Sequence, residues 1–156
     1  SKHTGADVFR ILFLDDHNSC ASQVAEALGN SLRRLRLFFS SAGLEPQPVD
    51  SRAVQFLAGK GLDISGHVAK PIQEISNLDQ YQVVVVFNNE VRQAFKPAKT
   101  KTVILDWPTS DPSQAQGPDQ QVQSAYEETF QYLRAQIRDL ADAIVGNADT
   151  HPTNER

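Results

Sequence analysis

The chain has 156 residues, of which 40% are hydrophobic and 22% are charged, and its formal net charge is −4 at neutral pH. This charge argues against a nucleic-acid ligand, and no apolar run approaches the ~20 residues of a membrane-spanning helix. A single cysteine excludes an intrachain disulfide and a cysteine-rich zinc site.

A chain of this length makes one domain, which buries roughly 68–70% of the surface that its unfolded form exposes. We expect that domain to span residues 1–147, with a loose tail over residues 148–156. The sequence contains no methionine, so we expect the start codon to lie outside it, in a removed tag or in a longer parent protein. Nothing in it has the pattern of a signal peptide, and a cytoplasmic location is predicted.

The first elements are a strand, a loop and a helix. The apolar run Val8–Leu14 predicts a buried strand, and the polar residues 15–19 predict a tight loop after it. From Ser22 onward, apolar residues recur every three or four positions as far as Leu35, which predicts an amphipathic helix. The next strand is predicted over Leu35–Ser40.

The middle of the chain contains a helix and the clearest strand. Asp50 or Ser51 is a good N-cap for a helix that runs through Lys60, and Gly61 is well placed to end it. Val83–Phe87 is a run of β-branched residues, which is typical of a central parallel strand.

A strand, a loop and a long helix follow. Thr102–Leu105 is the next predicted strand, and the polar stretch Ser110–Gln123 is predicted as a long surface loop. The spacing of apolar residues over Val122–Val145 predicts the longest helix. Such alternation of strands and helices indicates a parallel sheet covered on both faces, with ligands bound at the carboxyl ends of its strands.

Residues 14–26, LDDHNSCASQVAE, resemble the phosphate loop of the low-molecular-weight phosphatase family, in its thioredoxin-coupled arsenate reductase branch. That family carries C-x5-R-S, with Asn-Ser inside the loop and Gln-x-Ala-Glu on the next helix. The resemblance continues through residues 41–44, 61–71 and 83–87, and returns at DWPTSDP, residues 106–112. It implies a three-layer α/β sandwich in which a four-stranded parallel sheet has helices on both faces.

The resemblance also places the family's catalytic positions. The nucleophilic cysteine is replaced by Asp15 and the phosphate-binding arginine by Ala21, whereas the general-acid position is retained as Asp111. Cys20 does not fit C-x5-R, because counting on from it reaches Glu26. The remnant of the phosphate loop comprises Asp15, Asp16, His17, Asn18, Ser19, Cys20, Ala21 and Ser22.

The reductase branch relays a disulfide through two further cysteines after the third strand, and here residues 88–95 contain none. Loss of the thiolate and the guanidinium also makes the loop more negative. One carboxylate about 4 Å from a phosphate charge costs on the order of 4 kcal/mol at an effective dielectric of 20. The resemblance therefore implies a non-catalytic binding or regulatory module, with another protein or other domains of its own chain as partner. No cofactor and no small-molecule ligand are predicted.

Three alternatives remain open. In one of them the remnant of the phosphate loop has no role and an outer surface of the domain carries an interaction. Asp15, Asp16 and Asp111 form a carboxylate cluster that suits a hard divalent cation, so a metal-assisted enzyme is the second hypothesis. The acidic pair after a strand also resembles a receiver domain, but that fold needs an aspartate where Asn88 stands.

Other residues favour structural roles. His17, Asn18 and Ser19 are expected to shape the loop, and Trp107 is expected at the edge of the core, with a recognition surface as its alternative. The cluster of Arg33, Arg34 and Arg36 is expected to be a solvated helix end, with a basic contact for an acidic partner as its alternative.

Overall fold

The computed structural model describes residues 8–97 and 101–146, so the predicted tail over 148–156 lies outside the described residues. Its four-stranded sheet is parallel throughout and has the order β2-β1-β3-β4. The strands are β1 Phe9–Asp15, β2 Leu37–Gly43, β3 Val83–Val86 and β4 Val103–Asp106.

The helices in these ranges cover both faces of the sheet. They are α1 Ala21–Ser31, α2 Ser51–Gly59, α3 Asn89–Ala94 and α4 Asp119–Val145, with 3-10 turns at Ile72–Glu74, Leu78–Gln80 and Pro112–Gln114. The predicted α/β fold is therefore confirmed. No helix in the described part of the chain is both long enough and apolar enough to cross a bilayer.

The alternation of side chains along β1 builds a core on each face of the sheet. Ile11 and Phe13 pack into the larger core, which α1, α2 and α4 cover. Leu12 and Leu14 point the other way, into the smaller core beside α3. All four side chains are fully buried, so β1 is the centre of the molecule.

Aromatic rings fill the larger core around Phe13. Its ring stacks on Phe39 at a centroid distance of 5.9 Å and lies 6.0 Å from the ring of Trp107. Trp107 is only 7% exposed, so it belongs to the core and the alternative of a recognition surface is wrong.

Several predicted boundaries differ from the structure in the region between α1 and β2. The helix begins one residue early, at Ala21, and ends at Ser31. Leu35, expected on both the helix and the strand, is 90% exposed. The chain turns at Arg33, whose φ of +55° cannot continue a helix. β2 then starts at Leu37 and runs on to Gly43, because each of its residues pairs with β1.

The predicted loop over Ser110–Gln123 is shorter in the structure. It contains a 3-10 turn, and α4 already begins at Asp119. Pro118 precedes that helix, and its fixed φ suits a residue entering a helix. The helix α3 was not predicted at all.

Candidate functional site

The loop of residues 15–22, here called loop 15–22, connects β1 to α1 at the carboxyl ends of the strands, where ligands of parallel α/β folds bind. A cavity of about 40 Å³ lies over it, between the ends of β1, β3 and β4. We call it the loop cavity. It is lined by Asp15, Asp16, His17, Ser19, Ala21, Phe87, Asn88, Thr109 and Asp111.

A larger space, the side cavity, adjoins the loop cavity. It measures about 540 Å³ and shares Phe87, Asn88 and Thr109 with the loop cavity. The rest of its lining comes from the ends of β3 and β4 and the residues after them. The shared residues make the two cavities neighbours, and the side cavity has the volume of an organic substituent.

Asp15 ends β1, and donors of loop 15–22 hold its carboxylate. The N–H of Asn18 donates to Oδ1 over 2.8 Å, and the hydroxyl of Ser22 donates to the same oxygen over 2.9 Å. The N–H of Ser22 donates to Oδ2 over 3.1 Å. Because an ionised carboxylate offers about four lone-pair sites, one acceptor site stays open, on Oδ2.

The environment of Asp15 favours its protonated form. Burial raises the pKa of Asp15 from 3.8 to about 6, against the hydrogen bonds from Asn18 and Ser22, which lower it. The negative charge of Asp111 raises it further. Asp15 is therefore a carboxyl group that changes charge close to neutral pH.

Asn18 holds loop 15–22 in shape from the inside. Its side chain is fully buried, and its φ of +49° puts the backbone in the left-handed region. Nδ2 donates to the hydroxyls of Ser22 and Ser41 over 2.8 and 2.9 Å, and Oδ1 accepts from the N–H of Lys70 over 2.9 Å. Its amide thus binds three separate segments, as its predicted structural role requires.

The end of β2 packs closely against the backbone of the same loop. A Cβ atom at Gly43 would lie 2.8 Å from the backbone nitrogen of Asn18 and 2.8 Å from the carbonyl carbon of His17. The backbones meet so closely that only glycine fits there without a shift. Loop 15–22 is therefore braced by β2 as well as by its own hydrogen bonds.

Cys20 is turned away from the loop cavity into the protein. Its side chain is 1% exposed and packs with Val122 and Tyr126. Burial raises the pKa of the Cys20 thiol, and the nearby carboxylates of Asp111 and Asp50 raise it further. A thiol held in its protonated form is a poor nucleophile.

Asp111 faces loop 15–22 from the other side of the loop cavity. It caps the 3-10 turn Pro112–Gln114, where Oδ1 accepts from the N–H and the hydroxyl of Ser113 over 2.9 and 2.7 Å. Ala21 presents a methyl group, and no lysine or arginine lines the loop cavity among the described residues. The structure thus brings Asp15 and Asp111 together without a cation between them.

Asp16, the remaining acidic candidate, is hydrogen-bonded to a residue that follows β3. Asp16 accepts a hydrogen bond from Nδ2 of Asn88 over 3.0 Å, and His17 contacts the carbonyl of Glu45 through Nδ1 at 2.8 Å. Within residues 8–97 and 101–146 there is no group of three or more His, Cys, Asp or Glu side chains that could hold a metal ion.

Sequence reasoning missed an outer set of polar contacts. Nε2 of Gln23 donates to Oδ1 of Asn18 over 3.1 Å, and His67 meets Oε1 of Gln23 at 2.9 Å. Gln23 is fully buried. Gln23 was noted only as part of the family resemblance, and His67 was expected to organise a surface loop. The resemblance is the one signal that could have pointed to their contact.

Known proteins resemble the chain over most of its length. The low molecular weight phosphotyrosine protein phosphatase family matches residues 10–149. A glutaredoxin arsenate reductase of Synechocystis sp. is 28% identical over 136 residues, covering 87% of this chain and 95% of that protein. An arsenate reductase of Halalkalibacterium halodurans is 27% identical, covering 85% and 94%.

Solved structures have the same fold. An arsenate reductase in an oxidized state superposes with a TM-score of 0.73 at 25% identity, covering 86% of this chain and 98% of that one. A low molecular weight protein tyrosine phosphatase from T. tengcongensis has a TM-score of 0.73 at 24% identity, covering 86% and 99%.

These comparisons correct the predicted function. The prediction of a non-catalytic binding or regulatory module is wrong, because the relatives are named as arsenate reductases and the matching family as a phosphatase, and these are enzymes. The second hypothesis, a metal-assisted enzyme on Asp15, Asp16 and Asp111, finds no support in the site, where the described residues form no metal-binding group.

Proposed function

The chain belongs to the low molecular weight phosphotyrosine protein phosphatase family, and we propose that it hydrolyses phosphomonoesters with the carboxylate of Asp15 as nucleophile. Of the two activities in the names of its relatives, reduction of arsenate takes electrons from thiols. Cys20 is the chain's one cysteine and is buried. Hydrolysis needs a nucleophile, a proton donor and donors for an oxyanion, for which loop 15–22 and Asp111 are suitable.

The observation that carries this proposal is the position of the Asp15 carboxylate. It stands at the end of β1 on the floor of the loop cavity, with Oδ2 still able to accept one more partner. Carboxylates of aspartate form covalent intermediates in other phosphoryl-transfer enzymes. Its three hydrogen bonds fix the direction from which it attacks.

In the first step, Oδ2 of Asp15 forms a bond to phosphorus as the bond from phosphorus to the leaving oxygen breaks. The substrate is the monoanion, and its proton passes through Asp111 to the leaving oxygen. Water then hydrolyses the acyl phosphate, which releases inorganic phosphate and regenerates the carboxylate. The leaving group occupies the side cavity during the first step.

Backbone donors are left for the oxygens of the phosphoryl group. Among the described residues, none accepts a hydrogen bond from the backbone N–H groups of His17, Ser19 or Ala21, and these three residues line the loop cavity. Amides of a loop that leads into a helix are suitable donors for an oxyanion. Without an arginine they bind it more weakly, so we expect a slow enzyme with a high KM.

The test is release of p-nitrophenol from p-nitrophenyl phosphate. We expect turnover by the wild-type chain and only the uncatalysed rate with Asp15→Asn. Asp79→Asn is the matched control, since Asp79 is exposed in the 3-10 turn before β3, at the opposite end of that strand. Quenched wild-type protein should also yield an acyl phosphate that hydroxylamine cleaves.

The pH dependence gives a second readout. Asp15 ionises at about pH 6, and a phosphomonoester takes up its second proton at about the same pH. We therefore expect kcat/KM to be greatest near pH 6 and to fall on both sides. Equal turnover by wild type and Asp15→Asn, or no turnover at any pH, would contradict the proposal.

The proposed enzyme has a predicted location and a predicted partner. The single cysteine is a free thiol, and free thiols are typical of reducing compartments, since oxidising ones favour disulfides. We therefore propose a cytoplasmic location. The partner predicted from the sequence, another protein or another part of a longer chain, stays a prediction that affinity capture tests.

A further inference from the structure

A third cavity lies at the far end of α1 from loop 15–22. It measures about 290 Å³ and is lined by the end of α1, the residues after α2 and the middle of α4. We call it the α1–α4 cavity. The cavity lining begins at Leu28, seven residues after the start of α1. Since a helix rises 1.5 Å per residue, the cavity lies at least about 10 Å from the loop.

The rim of the α1–α4 cavity is positively charged. Lys60, Arg134 and Arg138 line it, and its lining contains no aspartate or glutamate among the described residues. Arg134 and Arg138 are four residues apart on α4 and therefore neighbours, an arrangement of like charges that costs a few tenths of a kcal/mol. The chain as a whole has a net charge of −4, so the rim of this cavity has the opposite sign to the molecule's net charge.

Two nearby carboxylates are already paired, one with Arg34 outside the cavity and one with Lys60 on its rim. Asp142, four residues after Arg138, accepts a hydrogen bond from Nη2 of Arg34 over 2.7 Å. Glu127 binds Nζ of Lys60 over 2.8 and 3.0 Å. Arg134 and Arg138 form no ion pair with any carboxylate in the described part of the chain.

The floor of the same cavity is apolar. Leu28 and Phe130 are each 5% exposed and Ile137 is 1% exposed, and Leu62 completes the floor. The volume equals roughly ten water molecules at about 30 Å³ each. This is the size of a small organic molecule rather than of a peptide.

We propose that the α1–α4 cavity binds a small organic anion, in which an apolar body rests on the floor and a carboxylate or phosphate meets Arg134 and Arg138. A guanidinium presents paired donors in a plane, and this geometry matches both kinds of head group. An anion between the two arginines also removes their mutual repulsion. This site is separate from loop 15–22 and does not depend on the proposed hydrolysis.

The experiment measures binding of 1-naphthoate by isothermal titration calorimetry. We expect one saturable site on the wild-type chain and at least tenfold weaker binding by Arg134→Gln/Arg138→Gln. The matched control is Arg33→Gln/Arg36→Gln, which removes two exposed arginines that do not line the cavity. It should bind within about twofold of wild type.

Two further measurements separate the parts of the proposal. Arg134→Lys/Arg138→Lys keeps the charge and loses the planar donors, so its affinity should lie between wild type and the glutamine variant. Inorganic phosphate lacks the apolar body and 1-naphthalenemethanol lacks the charge, so each should bind at least tenfold more weakly than 1-naphthoate.

The opposite results would overturn the proposal. These are no saturable binding of 1-naphthoate, equal affinity in the glutamine and control variants, or equal binding of the neutral alcohol. Circular dichroism melts of each variant show whether a loss of binding reflects a loss of fold. An Asp15→Asn variant should bind 1-naphthoate as the wild type does, and loss of binding there would place the ligand over loop 15–22 instead.

Discussion

Asp15 illustrates how burial and hydrogen bonding oppose each other at one carboxyl group. Three donors bind the carboxylate, and their hydrogen bonds lower its pKa. The pKa is nevertheless about 6, because burial of the carboxylate raises it by more than the hydrogen bonds lower it. The folded chain therefore holds a proton on Asp15 at a pH where the unfolded chain has already released it.

This difference predicts how stability depends on pH. Between about pH 4 and pH 6 the folded state binds more protons at Asp15 than the unfolded state, so the free energy of unfolding falls as pH rises. A shift from 3.8 to about 6 corresponds to about 3 kcal/mol. Urea denaturation of wild type and Asp15→Asn at several pH values should show the variant gaining relative stability across this window.

Asp63 provides a control of opposite sign. The hydroxyl and the N–H of Ser65 donate to the carboxylate of Asp63 and lower its pKa. The folded state therefore favours the ionised form of Asp63. Relative to Asp63→Asn, the wild-type chain should gain stability as pH rises from acid. Parallel curves for wild type and Asp15→Asn would contradict the account of Asp15.

The sequence placed the residues of loop 15–22 but could not show their contacts. The resemblance set Asp15 and Ala21 at the catalytic positions and Asp111 at the general-acid position, and the structure brings Asp15 and Asp111 to one cavity. That Ser22 would donate twice to Asp15 depends on the turn of the loop. The bond from the Lys70 N–H to Asn18 joins residues 52 apart, and no local pattern carries that information.

At the scale of elements, the signals for the start and the end of α2 depend on neighbouring residues alone, and the structure confirms both. The N-cap of α2 is Asp50, whose carboxylate accepts from the N–H of Ala53 over 3.2 Å, and Gly61 has the left-handed φ of +82° that follows a helix end. The end of α1 was misplaced because Leu35 fits the apolar period. Only tertiary packing shows that it faces water.

The contact of α1 with β2 allows a sharp test of packing. A Cβ atom at Gly29 would lie 2.4 Å from the ring of Phe39. Gly29→Ala should therefore destabilise the chain by about 1–3 kcal/mol, although alanine alone favours a helix by about 1 kcal/mol. Urea denaturation gives the free energy of unfolding.

Gly59 is the matched control for that substitution. It lies at the end of α2, and a Cβ atom there would meet nothing within 4 Å. Gly59→Ala should leave stability unchanged or raise it by up to about 1 kcal/mol. If Gly29→Ala also raised stability, the close approach of α1 to β2 would be refuted.

For the molecule as a whole, the strand order explains why the larger core depends on β1. Phe13 touches the rings of Phe39 on β2, Phe87 after β3 and Trp107 after β4. Since one side chain packs against rings on β2 and directly after β3 and β4, its removal leaves a cavity that none of these neighbours can fill alone.

Phe13→Ala should lower the free energy of unfolding by about 3–5 kcal/mol. Val103→Ala, at a position on β4 that is 51% exposed, should lower it by no more than about 0.5 kcal/mol. Equal effects of the two substitutions in chemical denaturation would show that the rings around Phe13 do not form the centre of the core.

The order β2-β1-β3-β4 also has a consequence for synthesis on the ribosome. β1 and β2 can pair early, but the other edge of β1 waits for β3, which begins about 70 residues after β1 ends. At 5–20 residues per second, the backbone N–H and C=O groups of that edge stay unpaired for roughly 3–14 s on every nascent chain. Chaperones that cover exposed strands should therefore matter most for this protein while translation is still under way.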